Sequence, residues 1–102
     1  MNKIKMSYKI GKNAQDNHRL FDEAEDDDIW FHLNDYPSAH MWIKNQKFSK
    51  QELYQLGLVL KTKSKYSKVN GLNIIYTTKK NLKKTEKLGE LEIIGKVQYL
   101  KV

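Results

Sequence analysis

The chain has 102 residues, of which 39% are hydrophobic and 30% charged, enough for one modest core and too few for two domains. It has no cysteine, which excludes disulfides, thiol nucleophiles and cysteine-ligated zinc. The net charge of +7 is uneven: residues 1–40 hold 5 basic and 8 acidic side chains, whereas residues 41–102 hold 14 basic and 4 acidic. Such a basic portion is typical of a surface that meets a polyanion, most often nucleic acid, although solubility on a lysine-rich background is the simpler interpretation.

The N-terminal part of the chain indicates a strand followed by a helix. Ser7–Ile10 is a short strand candidate that ends at Gly11, and Asn13 is a suitable N-cap for a helix over Ala14–Phe21. The acidic segment Asp22–Asp28 then forms a loop. No apolar run approaches about 18 residues, and the first ten residues lack an uninterrupted apolar stretch. We therefore expect no membrane span and no signal peptide, and predict an intracellular, cytoplasmic protein.

Two segments of alternating polarity, Asp28–Leu33 and Ala39–Lys44, predict a pair of antiparallel strands joined by a turn. If one face of the pair turns to the core, the other carries two indoles and two imidazoles: Trp30, His32, His40 and Trp42. Such a face suits single-stranded nucleic acid, because bases stack on aromatic rings. The alternative is that a helix covers this face and that the tryptophans form a second layer of the core.

The remaining chain predicts one more helix and several short strands. Ser49 and Glu52 form a capping box that opens a helix extending to about Lys61. The segments that follow are the basic, mobile connection Lys61–Lys68, the strand Leu72–Thr78, the basic segment Lys79–Lys87, and Leu91–Leu100 as one bent strand or two short ones with a kink at Gly95. Without regular βαβ units, this order predicts a single α+β domain with a small mixed or antiparallel sheet and two helices.

The two basic segments flank one predicted strand, so the fold can bring them to one end or edge of the sheet. We predict phosphate contacts in the second segment, from Lys79, Lys80, Lys83 and Lys84. A run of lysines that is merely solvated is the ordinary alternative.

A catalytic interpretation depends on three residues, Asp28, His32 and His40. Asp28 and His32 lie roughly 13 Å apart by strand rise, too far for both to bind one ion. We therefore expect no enzyme, no metal and no cofactor. A metal-dependent nucleic-acid hydrolase using these three residues is the alternative, together with a domain that docks on an acidic protein.

Motif residues in a fixed order along the chain match a known pattern. They are Gly11 to Asn13, Asn17, Leu20, Asp27 to His32, Pro37 and His40, then Tyr76 and Thr77, Asn81 to Lys84, Gly95 to Val97, and Tyr99. In these positions the chain resembles the RNA-binding (R) domain of the NFACT proteins. It differs at Lys12, where the family usually has arginine, at His18, where it usually has aspartate, and at Ser38, where it usually has glycine.

The resemblance covers roughly Tyr8 to Tyr99, almost all of residues 1–102, and implies one α+β domain that binds RNA. Its implied ligands are tRNA or ribosomal RNA, with the ribosome as an associated particle, and DNA is left open as a second ligand. We expect Lys12, Trp30, His32 and His40 at or beside the ligand. The helix-hairpin-helix and coiled-coil parts of the large NFACT proteins have no counterpart in these 102 residues.

Overall fold

The structure is a computed structural model that describes residues 7–102. Residues 1–6 lie outside the described residues. The prediction that residues 1–10 are not a signal peptide falls mostly on them. In chain order the elements are β1 Tyr8–Ile10, α1 Ala14–Glu23, β2 Ile29–Leu33, β3 Met41–Ile43, α2 Lys50–Thr62, β4 Asn73–Thr78, a 3₁₀ turn Lys79–Asn81, β5 Leu82–Lys84, β6 Leu91–Ile93 and β7 Gln98–Lys101. The predicted α+β class with two helices is confirmed.

Five strands form an antiparallel sheet in the order β1-β3-β2-β4-β7, while β5 and β6 form a separate antiparallel hairpin. The predicted pairing of β2 with β3 is confirmed, with Phe31 opposite Met41. On its other side β2 pairs with β4, where Phe31 lies opposite Tyr76. The strand β2 is therefore the centre of the sheet, and side chains on both of its faces are candidates for burial.

Local capping fixes where both helices begin. The Asn13 side chain accepts a hydrogen bond from the Asp16 N–H at 2.8 Å, and Ser49 and Glu52 complete the capping box at the start of α2. The helix α1 ends two residues later than predicted, at Glu23. Arg19 pairs there with Glu23 one turn ahead, a spacing that supports a further helical turn.

Both faces of the sheet are covered. On the face that packs against α2, Phe31, Leu33, Met41 and Ile74 are completely buried with Leu56. On the opposite face, the two indoles and Ile75 pack against Leu20 of α1 and Leu82 of the hairpin.

The expectation of an exposed aromatic face is wrong, because Trp30 is 3% exposed, Trp42 4% and His40 6%. Leu20 and Leu82 can be removed from water only if α1 and the hairpin close over this face. The alternative, in which the tryptophans belong to a second layer of the core, is the one the structure adopts.

The connections carry more structure than the sequence indicated. The predicted mobile connection after α2 is a hydrogen-bonded turn, in which Ser64 Oγ donates to the Lys61 carbonyl at 2.7 Å and accepts the Tyr66 N–H at 3.0 Å. The predicted strand Leu91–Leu100 is interrupted at Gly95, where a Cβ would stand 2.2 Å from Asn81 Oδ1. Among residues 7–102, no helix has the length and apolar character needed to cross a bilayer.

Candidate nucleic-acid interface

An open cleft of about 560 Å³ lies where four connections meet. Its walls are residues 11–14, 37–40, 63–66 and 87–90, together with Asn17 and His32. Four lysines border the cleft: Lys12, Lys63, Lys65 and Lys87. Among the residues that line it, Glu90 carries the only carboxylate. Within the described part of the chain, none of these four lysines has a carboxylate within ion-pair distance. A concave surface with this charge balance concentrates a positive potential.

Two imidazoles line the inner part of the cleft. The rings of His32 and His40 lie 4.9 Å apart between centroids and are perpendicular, and the Trp30 indole stacks on His32 at 5.4 Å. Burial lowers the pKa of His32, and burial together with the neighbouring His32 ring lowers the pKa of His40 to about 3. Both rings are therefore neutral near pH 7, and each offers one hydrogen-bond donor and one acceptor rather than a positive charge.

The glycine at the end of β1 is required by its packing against α1. A Cβ at Gly11 would stand 1.8 Å from Oδ1 of Asn17, a side chain that is itself 8% exposed. The Gly11 N–H also donates to the His40 carbonyl at 2.9 Å. Gly11, Asn17 and His40 therefore form one packed unit on the wall of the cleft, and any larger residue at position 11 would displace the asparagine.

A second glycine holds the loop 87–90 against the same helix. Gly89 has φ +83, where a side chain is unfavourable, and a Cβ there would stand 2.7 Å from the Ala14 Cα. The Gly89 N–H donates to His18 Nε2 at 3.0 Å, so that this nitrogen acts as an acceptor. His18 thus anchors the loop that carries Lys87 into the cleft.

The family model for the NFACT protein RNA binding domain matches residues 4–100. The chain belongs to this family. The match covers the Gly11 and Asn17 of the cleft wall and the two imidazoles, which confirms the resemblance found in the sequence. Membership of the family identifies an RNA-binding module.

Curated relatives include coiled-coil domain-containing protein 25 of Mus musculus, 35% identical over 83 residues, and that of Danio rerio, 34% identical over 83 residues. Each match covers 74% of this chain and 40% of the relative. Among solved structures, the C-terminal part of the fibronectin/fibrinogen-binding protein of Streptococcus suis aligns with a TM-score of 0.85 at 25% identity, over 96% of this chain and 41% of that one. The chain thus spans about two fifths of the length of the relatives it matches.

The structure brings together some of the predicted site residues and separates others. Lys12, His32 and His40 border the cleft, as expected for residues beside a ligand. Trp30 lies behind His32 and is buried, so its ring faces are not available for stacking on a base. Trp30 lies beside the two imidazoles, as predicted. It does not form an exposed surface on which a base could stack.

The four lysines predicted to contact phosphates lie next to carboxylates or carbonyls of their own chain. Lys79 Nζ donates to the Ala24 carbonyl at 2.6 Å and lies 4.8 Å from the centroid of the Phe21 ring. The other three form ion pairs: Lys80 with Asp27, Lys83 with Glu92, and Lys84 with Asp22. Two carboxylates of the acidic segment Asp22–Asp28 therefore partly neutralise this basic segment, and Glu92 of β6 does the same for Lys83. Exposed pairs of this kind are weak, and phosphate contact by these lysines stays a prediction.

The sequence indicated the two basic segments that hold Lys63, Lys65 and Lys87, but it did not single out these three lysines as site residues. They lie in the two basic segments, but the fold and not the sequence brings these segments to one cleft. A signal was present in the first segment, where Tyr66 is interleaved with lysines, because basic residues with an aromatic among them are typical of nucleic-acid contacts.

The three residues of the hydrolase alternative are not assembled. Asp28 is buried, accepts the Glu25 N–H at 2.9 Å and pairs with Lys44, whereas the two imidazoles contact each other. Within residues 7–102, no group of three or more histidine, aspartate or glutamate side chains is arranged to hold a metal ion. The geometry therefore gives no support to this alternative.

The buried imidazole makes folding stability depend on pH. An ordinary histidine titrates near 6.5, whereas folded His40 stays neutral down to about pH 3, so the unfolded chain takes up a proton between these values that the folded chain does not. Lowering the pH from about 7 to about 5 should reduce the free energy of unfolding by about 2 kcal/mol through His40, and further through His32, whose pKa is also lowered. Urea denaturation at pH 7 and at pH 5 measures the two free energies of unfolding.

The matched variant is His40→Gln, which should retain only the smaller pH dependence that comes from His32. Hydrogen bonds from Lys12 and Arg19 lower the pKa of Asp16, so the titration of this carboxyl falls below the pH window of the measurement. A wild-type stability that is constant between pH 7 and pH 5 would show that folded His40 takes up its proton over the same pH range as in the unfolded chain, and would contradict the prediction.

Proposed function

We propose that this protein binds a structured RNA, tRNA or ribosomal RNA, through the basic cleft, and that it does so inside the cell in association with ribosomes. The observation that carries the proposal is that four lysines without carboxylate partners border one cleft. Gly11, Asn17 and His40, which are residues of the family motif, form part of its wall. The protein acts as a binding module and not as an enzyme.

The charges of the cleft support a polyanionic ligand. The lysines come from three separate connections, so they can meet phosphates that are spaced along a backbone rather than a single anion. The one carboxylate on the cleft, that of Glu90, accepts a hydrogen bond from Thr85 Oγ at 2.7 Å and is thereby held by its own loop. A folded RNA presents such spaced phosphates together with unpaired bases.

The proposal predicts a steep dependence of RNA affinity on salt. If four to six lysines meet phosphates, the logarithm of the association constant should fall linearly with the logarithm of salt concentration, with a slope on the order of −3 to −5. Fluorescence anisotropy with a labelled tRNA between about 50 and 300 mM KCl measures the slope. Replacing Lys87 with glutamine should reduce its magnitude by about 1.

An affinity that stays constant over this range would contradict the proposal. Two further observations test the alternatives in the same samples. Binding to cellular partners that survives nuclease treatment would support docking on an acidic protein. RNA that is shortened during the titration, with cleavage abolished by His32→Ala, would support the hydrolase.

A further inference from the structure

Two tyrosine rings stack on each other beside the cleft, and one of them, Tyr66, lines it. Tyr36, in the turn between β2 and β3, and Tyr66, in the turn after α2, have ring centroids 4.2 Å apart and planes inclined by 24°. Residues 30 positions apart in the sequence thus form one aromatic unit, which we term the tyrosine stack. The function described above does not use it.

One ring of the tyrosine stack is held by its own turn, and the other is partly exposed to solvent. The Tyr66 N–H donates to Ser64 Oγ at 3.0 Å, its carbonyl accepts the Val69 N–H at 2.9 Å, and its ring packs against the core beneath α2. Tyr36 is 39% exposed and rests on Tyr66. An aromatic surface that is ordered before a ligand arrives loses little conformational entropy on binding.

The positive charge nearest to the tyrosine stack comes from the same turn. Lys63 and Lys65 lie within three residues of Tyr66, and all three side chains border the cleft. Stacked rings beside cations are the combination with which proteins bind unpaired nucleotides, since a base offers a flat face and its phosphate a charge. A duplex does not suit this surface, because its bases already stack on one another.

The inner part of the cleft complements the tyrosine stack. His32 and His40 are neutral and present hydrogen-bonding atoms rather than charges, which suits the polar edge of a base better than a phosphate. The cleft volume of about 560 Å³ lies within the range of small-ligand sites. Charge, neutral polar groups and Tyr66 therefore line one cavity, and Tyr36 lies beside it, stacked on Tyr66 and next in the chain to the lining residue Pro37.

We propose that the tyrosine stack binds an unpaired base of the RNA, in a single-stranded end or a bulge, while Lys63 and Lys65 contact the phosphates next to it. This inference rests on the proposed function, because it concerns the same cleft. It adds that the protein distinguishes RNA with an accessible single-stranded nucleotide from fully paired RNA.

The test compares two RNA duplexes of the same paired sequence, one blunt at both ends and one with a single-stranded 3′ extension of about four nucleotides. Tyr36→Ala should weaken binding of the extended RNA by about 5- to 100-fold, because stacking of one base is lost. Binding of the blunt RNA should change less than about twofold. Tyr36→Phe keeps the ring and should retain wild-type affinity for both.

The matched control is Tyr54→Ala, which removes a tyrosine of similar exposure, 43%, on α2 outside the cleft lining. It should leave both affinities unchanged. A direct measurement that needs no variant uses 2-aminopurine in the extension, whose fluorescence should change on binding to the wild-type protein and not on binding to Tyr36→Ala.

The outcomes separate the inference from the proposed function. Equal wild-type affinity for the two RNAs, or no effect of Tyr36→Ala on the extended RNA, would overturn the inference and leave a basic RNA-binding cleft. Failure of both RNAs to bind in a salt-dependent manner would overturn the proposed function as well. Loss of affinity in Tyr36→Phe equal to that in Tyr36→Ala would also overturn the inference, because the ring itself would then not matter.

Discussion

Replacing Trp30 with alanine should lower the free energy of unfolding by about 3–5 kcal/mol, as much as Phe31→Ala, although the two side chains face opposite sides of the sheet. Trp30 is 3% exposed and Phe31 is completely buried, so each replacement leaves a large cavity in a covered layer. Domains of this size are stable by only about 5–15 kcal/mol, and either variant therefore loses much of its stability. Urea denaturation at constant temperature measures the loss.

The control is Tyr99→Ala on β7, which removes an aromatic ring that is 60% exposed on the same sheet. Its free energy of unfolding should stay within about 0.5 kcal/mol of the wild type. If Trp30→Ala loses less than about 1 kcal/mol of unfolding free energy but much of its RNA affinity, the prediction that Trp30 is a stacking platform would be favoured instead.

Reversing the charges of Lys63 and Lys65 together should weaken RNA binding on the order of 100-fold. Each lysine is expected to lose a charged hydrogen bond to phosphate, at about tenfold per contact. Both are exposed and lie on the turn after α2, so the fold should be retained. A titration of wild type and Lys63→Glu/Lys65→Glu with tRNA at one fixed salt concentration measures the effect.

The control changes the same number of charges outside the cleft lining, in Lys47→Glu/Lys50→Glu. Glutamate at position 50 lies in the first turn of α2, where a negative charge is favourable, so stability should not fall. Only a few-fold loss of affinity is expected. If Lys83→Glu/Lys84→Glu weakens binding more than the cleft variant, the hairpin and not the cleft is the main phosphate surface.

The fold could be predicted where short-range patterns determine it. Alternating polarity indicated β2 and β3 with their pairing, and side-chain caps indicated the start of both helices, because these features depend on residues a few positions apart. The order of the sheet and the covering of its second face could not be predicted. They depend on contacts between distant segments, such as those of Leu20 and Leu82 with the tryptophans.

The candidate site, too, could be predicted from the sequence only in part. The family motif indicated Lys12, His32 and His40, and the structure places all three at the cleft. The sequence could not show that the tryptophans beside the imidazoles are buried, because alternation gives the face of a strand but not what lies on it. Nor could it show that Tyr36 meets Tyr66, since that contact joins two turns through the packing of α2 on the sheet.

The contact between Trp30 and His32 means that intrinsic tryptophan fluorescence can report on the cleft. The chain has two tryptophans, both shielded from water, so their emission should lie at short wavelength and move to long wavelength when the domain unfolds. An imidazole that borders the cleft lies flat against the Trp30 ring, whereas the Trp42 ring has an edge contact with Phe21. A ligand that alters His32 therefore changes the intensity of one indole without exposing it, and cleft occupancy can be followed in the unlabelled protein.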